Sequence, residues 1–167
     1  MKSKIIEDLL NRQVEREAYS SHLYLAIASW AENQGMEGSA KWFYAQSDEE
    51  REHMLRFIQY INERDGKAII SKLEQPPTDF GNINKAFEEA LKHEKFITDS
   101  INEIVAACEK EKDYTTHNWI QWFVTEQIEE EATVKSIIDK LNLIGDHNLY
   151  MFDRDIMSMR TSESPEE

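Results

Sequence analysis

The stretch Phe43-Tyr44-Ala45-Gln46-Ser47-Asp48-Glu49-Glu50-Arg51-Glu52-His53-Met54-Leu55-Arg56-Phe57 reads as a helix with a conflict on its inner face. Phe43, Gln46, Glu50, His53 and Phe57 recur at the 3-4-3-4 spacing of a heptad seam, the line along which a helix packs in a bundle. That seam is apolar at both ends, and a carboxylate and an imidazole interrupt its middle. Glu50 and His53 stand at i, i+3, so both side chains leave one helical face. The spacing alone is weak, because many exposed helices contain it by chance. The rest of the chain decides what it means.

Three further stretches free of proline carry the same kind of seam. The first runs from about Lys4 to Asn33 and places Ile6, Leu10, Gln13, Glu17, Ser20, Tyr24, Ile27 and Ala31 in line. The third begins after Asn82, a candidate N-cap, and ends near Lys112, with Phe87, Ala90, Glu94, Ile97, Ile101, Ile104 and Cys108 on its seam. The fourth starts at a second cap, Asp113, and stops before Gly145, presenting Ile120, Phe123, Gln127, Glu130, Val134, Ile137 and Leu141. The helix of the opening stretch spans about Ser39 to Asp65, with Gly66 placed as a left-handed stop. Only 5 glycines and 3 prolines occur in 167 residues, which favours such long elements.

Three of the joins are short. Lys67 to Gly81, with Pro76-Pro77, is too long for a tight helical hairpin, and loops beyond ~12–15 residues need a reason. A helix of about 28 residues is roughly 42 Å long, and about 15 extended residues reach about 50 Å. A crossover along the bundle makes helices two and three parallel, which predicts an all-α four-helix bundle with one long connection. A short fifth segment, about Asp146 to Met157, follows Gly145, and residues 158–167 read as a disordered acidic tail.

Each seam is interrupted by a carboxylate at a corresponding height, so Glu17, Glu50, Glu94 and Glu130 meet in the bundle. One or two neutral polar groups on a seam fix register in a purely structural scaffold. Four clustered, buried carboxylates repel one another and lose hydration, which costs many kcal/mol unless they are protonated or neutralised. Two divalent cations supply the missing charge. Hard oxygen donors with one imidazole suit Fe²⁺ or Mn²⁺ better than a structural zinc site, and Glu50 is the candidate bridge between two metals. Adjacent ferrous ions each give one electron to O₂ or peroxide. Tyr24, two turns from Glu17 on the same face, is placed to hydrogen-bond a ligand or supply an electron; the alternative is a core tyrosine with a satisfied hydroxyl.

The charge balance agrees with cations as partners. Lys and Arg number 19 against 33 Asp and Glu, a formal charge of −14, which disfavours a nucleic-acid groove. Cys108 is the single cysteine, so no intrachain disulfide forms. No apolar run approaches the ~20 residues that cross a bilayer, and the N-terminus turns acidic before a signal-like region develops. A cytoplasmic protein without membrane contact is expected.

The motifs Glu17-Ala18-Tyr19-Ser20-Ser21, Asp48 to His53, His93-Glu94 and Glu126-Gln127-Ile128-Glu129-Glu130 resemble the bacterial non-haem ferritins, a likeness that extends over essentially the whole chain. The resemblance implies a ferritin-like domain over residues 1–157. It also implies ferroxidase activity at a di-iron centre, with Fe²⁺ oxidised by O₂ or H₂O₂ and ferric mineral stored in a hollow shell of 24 subunits. By it, Glu17, Glu50 and His53 hold the first iron, and Glu50, Glu94 and Glu130 the second. Glu49, Glu126 and Glu129 match a third iron site, Gln127 a polar residue beside the first iron, and the fifth segment, with Leu149, Tyr150, Ile156 and Met157, packs around fourfold axes.

Two departures from related families sharpen the expectation. Bacterioferritins and rubrerythrin-type peroxidases repeat Glu-x-x-His on the last bundle helix, where this chain has Gln127-x-x-Glu130. Bacterioferritins also carry a haem-binding Met just before the motif histidine, where Glu52 stands, so haem is not expected. A di-iron peroxidase is the alternative function, disfavoured by the missing second histidine and by the lack of a Cys-x-x-Cys module. A DNA-protecting mini-ferritin lacks support from this acidic tail. Of the remaining residues, His22, His117 and His147 read as surface or interface groups. His93 reads as lying off the ligand face, Trp119 and Trp122 as packing, and Cys108 as a small buried apolar residue.

Overall fold

The computed structural model describes residues 3–145 and 148–160. Among these there are five α-helices and no strand: α1 (Lys4–Asn33), α2 (Glu37–Glu63), α3 (Ile83–Glu111), α4 (Tyr114–Ile144) and α5 (Leu149–Asp155), the last continued by a 3₁₀ turn over Ile156–Met159. The caps act where the sequence places them. Asn82 Oδ1 accepts from the Lys85 amide at 2.9 Å, and Asp113 Oδ1 accepts from the Thr116 amide at 3.1 Å. The stop after α2 differs by one residue. Asp65, not Gly66, takes the left-handed backbone (φ 56°), which short polar side chains tolerate. Gly66 follows so that its amide can reach the Ile61 carbonyl at 2.9 Å.

Cross-helix contacts define the topology. Ser3, Arg12 and Ser20 on α1 meet Glu111, Glu103 and His93 on α3, so these helices run antiparallel. Gln46 and Tyr60 on α2 meet Glu130 and Thr116 on α4 in the same sense. With α1 and α2 joined by a short turn, α2 and α3 are parallel, as the crossover length predicts. That crossover is tied at its start by Asn11, whose amide donates to the Lys67 carbonyl at 3.0 Å and whose oxygen accepts from the Ile69 amide at 2.7 Å. At its far end Phe80 is buried edge-on against Trp30, near the opposite end of α1. Nineteen residues of α1 separate Asn11 from Trp30, so the connection travels roughly 28 Å along the bundle at 1.5 Å per residue.

Every heptad-seam residue named above is buried. The core forms two apolar halves. One gathers Tyr24, Trp42, Phe43, Phe87 and Ile137, the other Leu10, Phe57, Ile101, Ile104 and Phe123. Each large side chain buried there contributes about 1.5–3 kcal/mol, and the polar layer lies between the halves.

α5 closes one end. Asp153 takes the place of the side-chain cap that Met36 cannot provide for α2. Its oxygens accept from the Gly38 amide at 2.9 Å, the Ser39 amide at 2.8 Å and the Ser39 hydroxyl at 2.7 Å. A Cβ at Gly38 would overlap the Asp153 carbonyl oxygen. Of the four residues expected to face neighbours around an axis, Ile156 instead is fully buried in this chain's own core with Phe152, and Leu149 is partly so. Tyr150 (80 % exposed) and Met157 (41 % exposed) point outward. The start of the fifth segment at Asp146 lies outside the described residues. Ser158 to Arg160, expected to begin the tail, are held in the fold, and Arg160 donates to the Trp42 carbonyl at 3.3 Å; residues 161–167 lie outside the described residues.

Asp153→Ala should therefore uncap α2 and destabilise the protein by about 1–2 kcal/mol, read as a lower urea midpoint by circular dichroism. Gly38→Ala should cost at least as much. Unchanged midpoints in both would show that α5 is anchored some other way.

Candidate metal centre

All four long helices contribute to the polar layer: Glu17 from α1, Glu50 and His53 from α2, Glu94 from α3, Glu130 from α4. Glu17, Glu50 and His53 form one compact group. One ligand atom from each lies within 4.8 Å of the others, and all three residues are buried. His53 Nδ1 stands 3.5 Å from Glu50 Oε2. Glu17 Oε2 and His53 Nε2 are buried without a hydrogen-bond partner, which is costly for polar atoms away from water.

The surrounding donors orient the carboxylates. Arg16 donates to Ser100, Ser100 to Gln13 Oε1, and Gln13 Nε2 to Glu17 Oε1 at 2.7 Å, so the bonded oxygen of Glu17 faces this chain and leaves Oε2 for the site. Tyr24 donates its hydroxyl to Glu94 Oε1, and Gln127 Nε2 donates to Glu94 Oε2 at 3.1 Å. Gln46 Nε2 donates to Glu130 Oε2 at 3.0 Å. Tyr24 thus bonds a site carboxylate, and Gln127, matched to a position beside the first iron, directs its amide nitrogen to Glu94. The expected second set, Glu50, Glu94 and Glu130, is not among the groups of described residues whose ligand atoms converge within 4.8 Å. Burial pushes Glu50 and Glu130 well above the ordinary carboxylate range, and the charge of Glu94 adds to both. Burial also raises Glu94, from 4.5 to about 7, while the Tyr24 and Gln127 donors hold it down.

Beside this centre lies a second acidic group. Glu49, Glu126 and Glu130 bring one oxygen each within 4.8 Å of the others. They line a cavity of about 20 Å³ together with Glu129, Gln46 and Arg160, room for one water-sized species. The expected trio named Glu129; the closest oxygens belong to Glu130, because residues 126 and 130 are one turn apart and share a face.

Other residues resolve plainly. His93 is buried, with Nε2 2.7 Å from the Ser20 hydroxyl, and burial lowers it to about 4. Its place between α1 and α3 lies beside the ligand face, closer to Tyr24 than the helical wheel suggests. His22 is exposed, His117 pairs with Glu109 at 3.8 Å, and His147 lies outside the described residues. Trp119 stacks on Tyr60, and Trp122 packs edge-on against His53 with Arg56 above it. Cys108 is a free, buried cysteine whose thiol burial raises to about 11. Gln13 and Gln46 went unassigned in the sequence, although a polar residue one turn from each seam glutamate was the available signal. Arg160 had none.

These features define an all-helical bundle with a buried cluster of carboxylates and a histidine at its middle whose ligand atoms could hold a metal ion. Residues 7–144 match the family model described as a ferritin-like domain. The chain is 40% identical to a probable bacterial non-heme ferritin-like protein of Haemophilus influenzae over 96% of its own length and 99% of that protein. It is 39% identical to the bacterial non-heme ferritin of Campylobacter jejuni, covering 97% of this chain and 98% of the relative. In structure it is similar to the open pore ferritin of Archaeoglobus fulgidus, with a TM-score of 0.92 and 36% identity over 96% of this chain and 98% of that one. The chain belongs to the ferritin-like family. No helix among the described residues is long and apolar enough to cross a membrane.

The raised carboxyls make stability depend on pH. A carboxyl whose folded value is raised binds more protons folded than unfolded. Its contribution is fully present below the unfolded value of 4.5 and is lost as pH rises through about 7. His93, lowered from 6.5 to about 4, acts with opposite sign between those values, and its effect fades as pH rises past 6.5. Beyond that range the raised carboxyls dominate. The melting temperature of the metal-free protein should fall between about pH 6.5 and 8, and Glu94→Gln should flatten the decline. A calorimetric profile level over that range in the native sequence would contradict the raised values.

Proposed function

We propose that the protein is an iron-storage ferroxidase. Its buried centre takes two Fe²⁺ ions as substrate, passes their electrons to O₂ or H₂O₂, and releases Fe³⁺ for deposition as ferric oxyhydroxide inside a hollow shell of 24 copies. The observation that carries this reading is the trio Glu17, Glu50 and His53. Three buried donors converge within 4.8 Å, and two of their polar atoms have no hydrogen-bond partner among the described residues. A cation satisfies both atoms and offsets the carboxylate charge, which no hydrogen-bonded scaffold role would do.

In this reading Glu17, Glu50 and His53 hold the first ferrous ion. Glu50 bridges to a second, whose other ligands are Glu94 and Glu130. Tyr24 holds one Glu94 oxygen and is close enough to the pair to supply an electron. Gln127 holds the other, and because an amide nitrogen only donates, it orients the carboxylate without competing for the metal. Glu49, Glu126 and Glu129, with Glu130, form a third position on the path away from the pair. Two ferrous ions, giving one electron each, reduce one O₂ and two protons to H₂O₂, or one H₂O₂ and two protons to two waters. The relatives named as non-heme ferritins support storage, and the oxygen-rich donor set supports iron. A cytoplasmic setting and a homo-oligomeric shell complete the proposal, with no nucleic acid and no haem involved.

Loading the pure protein with Fe²⁺ in air tests it. Fast oxidation of about two Fe²⁺ per chain, retained ferric mineral and a particle near 24 times 19.7 kDa are expected. Glu50→Ala should slow the fast phase by on the order of 100-fold while the shell still assembles. A scaffold would show no oxidation to lose, and a native protein that retains no mineral would exclude storage.

A further inference from the structure

The 3₁₀ turn after α5 delivers one cation to the second acidic group. Arg160 Nη2 lies 2.7 Å from Glu49 Oε2, and Nη1 donates to Gln46 Oε1 at 2.9 Å and to the Trp42 carbonyl at 3.3 Å. The ion pair is sheltered, with 20 % of the arginine side chain and 13 % of the glutamate side chain exposed. Among the described residues lining the small cavity of Glu49, Glu126 and Glu130, Arg160 is the one cation. Its position is not accidental, since Asp153 fastens α5 to the start of α2 through three hydrogen bonds seven residues earlier.

Two consequences follow from the guanidinium's chemistry. It stays charged at any working pH and offers only donors. Gln46 must therefore turn its oxygen to Arg160, which leaves its nitrogen for Glu130 Oε2 at 3.0 Å. A divalent cation entering between Glu49, Glu126 and Glu130 meets a positive charge already paired with one of its ligands. Like charges at such range repel strongly where water is partly excluded.

We propose that Arg160 is a tethered counter-cation for the third position: a divalent cation binds there only by displacing the guanidinium from Glu49, so the C-terminal turn sets how firmly that position holds iron. This rests on the reading above, in which these acids receive metal. It assigns a role in metal affinity to a residue outside every ligand set.

Zn²⁺, which undergoes no oxidation, separates binding from turnover. Calorimetric titration of the assembled protein, with anomalous scattering to locate the ions, should find the buried pair filled tightly and the third position weakly in the native sequence. Arg160→Gln should tighten the third position by roughly tenfold and change the buried pair by less than about twofold. Arg160→Lys keeps the charge and should stay near the native affinity. A filled buried pair with third-position affinity unchanged or weakened in Arg160→Gln would overturn the role of Arg160 alone. No Zn²⁺ at the buried pair in any of the three proteins would overturn the metal-centre reading and this inference with it.

Discussion

Four carboxylates are buried at one height between two apolar half-cores, and the rest of the structure is arranged around that fact. Burial alone raises Glu50, Glu94 and Glu130, and each feels the charge of another carboxylate in the layer. A layer like this is unfavourable in isolation. It persists because the aromatic and aliphatic packing on either side holds the helices in register regardless of the layer's protonation. The Phe43 and Phe87 rings pack at a tilt with centroids 4.6 Å apart on one side, and Phe57 and Phe123 with centroids 4.3 Å apart on the other. The fold supplies the stability that the site lacks, and a cation taken up there as proposed would return part of it through linkage.

The same constraint explains the choice of neighbours. Groups that hold the carboxylates act here through donors: the amide nitrogens of Gln13, Gln46 and Gln127 and the Tyr24 hydroxyl. A donor fixes a carboxylate's orientation and stabilises its charge, but an amide nitrogen is no ligand. Such donors can hold both oxygens of a carboxylate, as Tyr24 and Gln127 do for Glu94, or divide the two. Glu17 shows the division within one side chain, with one oxygen bonded to Gln13 and the other buried without a partner.

Much of this was legible in the sequence because it is written in helical period. The 3-4-3-4 spacing places Glu17, Glu50, Glu94 and Glu130 on seams, and equal distances from the apolar ends place them at one height. Asn82 and Asp113 announce helix starts by their own side-chain chemistry, and the length of the crossover implies its direction. What escaped depends on tertiary approach. Ile156 reads as an apolar position on a tag and is in fact core, since only the docking of Asp153 on Gly38 decides which way α5 faces. Glu130, not Glu129, stands closest to Glu49 and Glu126, a choice between adjacent residues that a helical rotation of 100° settles. Arg160 belongs to no periodic pattern, so nothing local marks it.

That last case shows how an irregular segment can act on a site that regular elements build. The bundle positions the acids by packing, which tolerates little movement. The C-terminal turn approaches them through hydrogen bonds and one ion pair, which exchange more readily than packed side chains. Gln46 joins the two regimes: its nitrogen holds Glu130 inside the layer, and its oxygen accepts from Arg160 outside it. A shift of the guanidinium therefore frees the Gln46 amide to reorient, and with it the donor on Glu130. If the outer acidic group takes a cation as proposed, its occupancy and the orientation of Glu130 are coupled through a single amide.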